Sequence, residues 1–82
     1  MEKTGKQGDL KEKEKLYVIP MRSAEELHFS VIELGGKPLA DIRCFSKTEE
    51  GLRPTQFGIV LNARKLEGLI EGAQKLLAAI KK

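Results

Sequence analysis

The 82-residue chain contains no tryptophan, one tyrosine, three phenylalanines, one cysteine and one histidine, and each scarcity removes a class of function. A lone cysteine, Cys44, rules out a disulfide within the chain. With only one histidine, His28, beside it, there is no Cys/His set from which a zinc site is built. Any Ser/His/Asp triad would have to use that same histidine, and no glycine-rich loop leads from a strand into a helix. Glu49-Glu50 reads as a solvated turn, not as a paired acid and base. The expectation is a binding protein and not an enzyme, with no cofactor and no metal. No apolar run approaches the roughly 20 residues of a membrane span, and no signal-peptide pattern precedes the first expected strand. A soluble protein is expected, cytoplasmic and nucleoid-associated, or nuclear in a eukaryote, with no membrane partner.

What is present fits one small domain. A hydrophobic content of 40% supplies a single core that is marginal at this length, so oligomerisation is expected. The net charge of +3 leans towards polyanionic partners, although acids and bases are interspersed along the chain. Met1 to Lys15 is polar, carries the Lys11-Glu12-Lys13-Glu14-Lys15 run and has almost nothing to bury but Leu10. It reads as a disordered charged tail ahead of a domain at 16–82. Its lysines suit transient phosphate contact or simple solvation.

The chain is organised around Gly36 to Leu61. Leu16 to Pro20 is a short β-prone run closed by proline, and Met21 to Glu26 reads as a turn. Leu27 to Leu34 alternates, with Leu27, Phe29 and Val31 on one face and His28, Ser30, Ile32 and Leu34 on the other. Gly35-Gly36 supplies the positive-φ pair of a tight hairpin. Pro38 to Ser46 then places Ala40, Ile42 and Cys44 on an apolar face and Leu39, Asp41, Arg43 and Phe45 on the other. Cys44 reads as a small core residue. A polar turn ending at Gly51 leads through Leu52-Arg53-Pro54 to a last strand at Gln56 to Leu61. Successive strands without intervening helices predict an antiparallel sheet. An arginine and an aromatic on one strand face are a first sign of nucleic-acid binding, since a guanidinium neutralises phosphate and a ring offers a stacking surface.

Asn62 can cap a helix whose apolar residues, Leu66, Leu69, Ile70, Ala73, Leu76, Leu77 and Ile80, recur at three- and four-residue spacing. The stripe is expected to cover the apolar face of the sheet. Arg64, Lys65, Glu67, Glu71 and Lys75 take the solvated side, and Lys81-Lys82 suit the helix C-terminus. Gly68 and Gly72 each cost about 1 kcal/mol relative to alanine. They mark either a smooth surface for the same helix of a second subunit or a tolerated weakness.

Gly36-Lys37, Asp41-Ile42-Arg43, Gly51, the basic residue before Pro54, and Gly58-Ile59 leading through Leu61-Asn62 into a terminal helix together resemble the transcriptional coactivator positive cofactor four and its bacterial relatives. The likeness runs from about Phe29 through the helix. It implies an α+β fold, a bent antiparallel sheet of about four strands followed by one C-terminal helix. It also implies a homodimer joined largely through the helices, with Gly68, Leu69, Gly72 and Leu76 at the interface, and curved channels for single-stranded DNA. Lys37, Arg43 and Arg53 fall on basic positions that contact the phosphate backbone in the family. The chain departs from the family pattern at Leu34 and Ser46, which stand where the best-known member has a stacking aromatic and a tryptophan. Phe45 falls on a position that is aromatic in the relative, and Phe57 replaces a base; each is a candidate stacking platform or a core residue. The short tail, in place of a long serine-rich leader, points to the bacterial type.

The function expected is that of a homodimeric single-stranded DNA-binding protein with little sequence preference, acting in transcription regulation or in repair and recombination. RNA or melted duplex are related ligands, and transcription or repair proteins are possible partners. Lys37, Arg43, Arg53 and Lys47 would track phosphates while Phe45 or Phe57 takes a base. The alternative is a protein-interaction adaptor that recruits transcription machinery, using Ile32 and Leu34 as apolar residues on an otherwise wet face. His28 reads as a surface histidine, with pH sensing or phosphate contact as the alternative.

Overall fold

A computed structural model describes residues 10–82. Four antiparallel strands are followed by one helix: β1 (Leu10–Pro20), β2 (Glu25–Leu34), β3 (Lys37–Thr48), β4 (Gly51–Leu61) and α1 (Ala63–Ile80). The strands lie in the order β1-β2-β3-β4, a simple meander. Because β1 starts at Leu10, the tail boundary expected between residues 15 and 16 falls inside a strand. The alternating charges of Lys11 to Lys15 have the two-residue period a strand uses, and they pair with Ser30 to Glu33 of β2. The rest of the expected tail lies outside the described residues.

The β2–β3 hairpin sets the frame. Gly35 and Gly36 have φ of 60° and 82°, a conformation open to glycine at little steric cost. Leu34 pairs directly with Lys37 across them, and the register continues without a break to Glu25 and Ser46. Directly paired residues share a face, so Phe29 joins Ile42, and Val31 joins Ala40, on the apolar side. Tyr17 adds to this side by meeting Phe29 edge to face, with ring centroids 6.0 Å apart. Register irregularities between Glu12 and Glu14, between Lys15 and Tyr17, and between Arg43 and Phe45 mark bulges, which bend and twist the strands that carry them.

Two expectations about packing are corrected. First, α1 does not cover the apolar face. It meets the sheet only at its start, where Ala63 and Leu66 border an apolar hollow of about 360 Å³ with Leu16, Phe29, Val31, Ala40 and Ile42. No residue of the helix is buried, and Leu76 and Ile80 are 66% and 77% exposed. The described chain measures 50 × 33 × 18 Å with a radius of gyration of 14.6 Å, against about 12 Å for a compact domain of this length. Second, the buried side chains lie on the opposite face: Ile32 and His28 are each 3% exposed, and Ser30 is buried beside them. Ile32 is therefore core, not an apolar residue on a wet face, and His28 is not a surface histidine. Parity separates the two faces of a strand but does not say which one its neighbours shelter. Cys44 is half-buried and unpaired.

The helix has the predicted cap. Asn62 is extended, and its side-chain oxygen accepts a hydrogen bond from the Lys65 N–H at 2.9 Å. The last turn closes with Lys81 N–H donating to Leu77 O. Among the described residues no helix is long and apolar enough to cross a membrane.

Candidate nucleic-acid interface

The face of β3 opposite the hollow carries Lys37, Leu39, Asp41, Arg43, Phe45 and Lys47 at alternate positions. Across on β2, Ile32 pairs with Leu39, Ser30 with Asp41, His28 with Arg43, and Glu26 with Phe45. Three sequence-predicted basic residues and one predicted aromatic are thus brought to one side of one strand.

Arg43 is held before any ligand arrives. Its Nε donates to Asp41 Oδ1 at 3.2 Å and contacts Oδ2 at 3.4 Å, Nη2 reaches Oδ1 at 3.1 Å, and Nη1 donates to Thr55 O at 3.1 Å. A guanidinium has five N–H donors. One each on Nε, Nη1 and Nη2 is engaged here, so among the described residues one on each terminal nitrogen is without a partner. The side chain is only 22% exposed, and its charge is offset by the neighbouring carboxylate.

Phe45 is also supported. Its ring stacks on the imidazole of His28 with centroids 4.0 Å apart and planes 16° from parallel. His28 Nε2 is in turn 2.9 Å from Glu26 Oε1, where the carboxylate makes the imidazole nitrogen the donor.

Phe57 lies in the β3–β4 bulge, and Arg53 lies beyond it on the other face. Arg43 pairs with Gly58 and Phe45 with Pro54, so Thr55, Gln56 and Phe57 form a longer segment opposite Cys44. Thr55 stitches it down: its hydroxyl donates to Cys44 O at 2.8 Å and accepts from Phe57 N–H at 3.1 Å. Gly58 is required where the strands close again, because a Cβ there would stand 2.7 Å from Ile42 O and 2.9 Å from Arg43 Cα. Phe57 projects from the bulge with 68% exposure, which does not suit a core residue. Arg53 pairs with Ser46, on the parity opposite Arg43 and Phe45, and its Nη2 is bonded to Glu50 Oε1 at 2.8 Å. Lys37 beside the glycine turn and Lys47 opposite Leu52 are exposed.

Asp41, Thr55 and His28 were missed by reasoning from sequence. Asp41 was legible, since opposite charges two apart on a strand share a face. His28 was legible from the hairpin, because it lies as far before Gly35-Gly36 as Arg43 lies after. Thr55 had no signal, as the bulge that recruits it depends on pairing alone. Among the described residues no group of three His, Cys, Asp or Glu side chains could hold a metal ion.

Compared with known protein families, with curated proteins and with solved structures, the chain finds no match in any of the three.

Proposed function

We propose that this chain is a homodimeric single-stranded DNA-binding protein with little sequence preference, of the positive cofactor four type, acting in transcription regulation or in DNA repair and recombination. The observation that carries the reading is the pair Arg43 and Phe45 on one face of β3, a tethered guanidinium with two N–H groups left among the described residues and a ring stacked on His28. Phosphate neutralisation and base stacking together are what sequence-tolerant strand binding needs. Lys37 and Lys47 extend the basic character along the same strand, and the exposed Phe57 offers a second ring. Arg53, engaged with Glu50 and paired on the other parity, joins as an outlying phosphate contact. Asp41 lowers the net charge at the centre, which predicts modest affinity, and RNA or melted duplex are ligands of the same chemistry.

The homodimer part of the reading is supported by the bare stripe of α1 and the open apolar hollow at its foot. Both are apolar surfaces that a lone chain leaves in water, and a second copy supplies the matching surface. Gly68 and Gly72 have open space around them, which leaves room for a second backbone. Leu69 and Leu76 then lie in the interface.

The test is single-strand affinity measured against salt. Arg43→Ala is expected to bind roughly tenfold more weakly and to lower the slope of log affinity against log salt by about 0.7. Asp41→Ala/Arg43→Ala, which leaves no carboxylate without its partner, is expected to do the same. Equal, weak and salt-insensitive binding by wild type and variants rejects the reading. The adaptor alternative loses Ile32, which is buried, and keeps Leu34. A partner captured after nuclease treatment, with no protection of single strands, would favour it.

A further inference from the structure

We propose that His28 is a positioning residue that holds the Phe45 ring as a one-sided platform for a nucleobase. The inference rests on the single-strand-binding reading and adds to it a residue outside the basic and aromatic set.

Among the described residues no second sheet lies over this face, so the orientation of the Phe45 ring depends on its neighbours within the sheet. Here the ring plane is set by the imidazole, 4.0 Å away and 16° from parallel. The support is itself fixed. His28 is 3% exposed, and its edge is tied to Glu26 at 2.9 Å, so it cannot rotate without breaking that bond. One π-face of Phe45 is thereby occupied, and among the described residues no other aromatic stacks on this ring. Phe45 is half-buried, and the proposal places a flat ligand on the ring face turned away from His28. A flat ring with a polar edge suits this place: an aliphatic side chain would put methyl groups under the platform and leave Glu26 without its donor. The arrangement repeats what Asp41 and Thr55 do for Arg43, two residues earlier on the same face. Arg43 and Phe45 are thus each pinned by residues that need not touch the ligand.

The test compares a labelled oligothymidylate with an abasic strand of the same length, which offers phosphates but no bases. Wild type is expected to prefer the oligothymidylate. His28→Gln keeps the hydrogen bond and removes the ring; it is expected to lose about tenfold of that preference, on the order of one weakened stack, while abasic-strand affinity stays level. His28→Phe keeps a flat ring and loses the bond, and is expected to recover most of the preference. In a Phe45→Leu background, His28→Gln should have no further effect, because a residue that acts through the ring has nothing left to act on. An undiminished preference in His28→Gln, or parallel losses against both strands, overturns the positioning role and leaves single-strand binding standing. A wild-type protein that binds neither strand overturns both. If His28→Gln does not fold, the aromatic proton shifts of wild-type Phe45 decide. Upfield shifts that move with oligothymidylate but not with the abasic strand are the expected result, and shifts indifferent to both overturn the proposal.

Discussion

His28, Ser30 and Ile32 of β2 are buried, whereas α1, whose apolar stripe is plain in the sequence, buries none of its side chains. The sheet face is polar by composition yet closed: Arg43 is tied to Asp41 and Thr55, His28 to Glu26, and among the described residues no buried side-chain nitrogen or oxygen lacks a partner. The stripe of the helix is apolar and open, with Leu69, Ile70, Leu76, Leu77 and Ile80 all exposed. Burial on the sheet side thus includes a hydrogen-bonded imidazole, while the apolar stripe of the helix stays exposed. A self-satisfied polar network fixes geometry; an unpartnered apolar stripe gains its stabilisation only when something covers it.

The sharpest way to break this contrast is to charge the stripe. In a lone chain Leu69→Asp/Leu76→Asp would cost little, since both side chains are already exposed. If two helices pack together, it removes two buried leucines per chain, about 3 to 6 kcal/mol at the usual worth of such a side chain. The expected result is a fall from dimer to monomer mass in sedimentation equilibrium; an unchanged mass would show that the stripe is not the joining surface.

The sheet side is tested next by Gly58→Ala. The added methyl meets backbone atoms of Ile42 and Arg43, which cannot yield as a flexible side chain would, so a loss of about 2 kcal/mol in urea unfolding is expected. Asn62→Ala removes the helix cap and should cost about 1 kcal/mol by the same measurement. An effect well above that would mean that the start of α1 also anchors the hollow beneath it. The smallest effect is expected from Gly72→Ala. Helix propensity alone predicts a gain of just under about 1 kcal/mol, but close approach of a second helix reverses the sign. We expect self-association a few-fold weaker; a higher Tm with unchanged association would show that this glycine faces water.

Much of the fold was legible because its signals are local. The glycine pair, Asn62 at a helix start and the two alternations in β2 and β3 each act over a few residues, and each has its counterpart in the structure. What sequence reasoning lost was non-local. The strand through Lys11 to Lys15 depends on a partner in β2 and not on its own hydrophobicity. The bulge that carries Phe57 depends on pairing across strands, and nothing local in the sequence marks Ile32 and His28 as buried. For the candidate site, the basic and aromatic residues were named from their types; of the residues that hold them, Asp41 and His28 left local signals that went unread, and Thr55 became visible only once register was known.

That register is controlled by two residues. Slipping the β2–β3 pairing by one position would exchange every side chain between faces, bringing Ala40, Ile42 and Cys44 to where Asp41, Arg43 and Phe45 now stand. Gly35 and Gly36, with no side chains and open space around them, therefore act as the selector between a charged, ring-bearing surface and a greasy one. Deleting either glycine would remove no contact and no charge, yet it would turn the strand inside out.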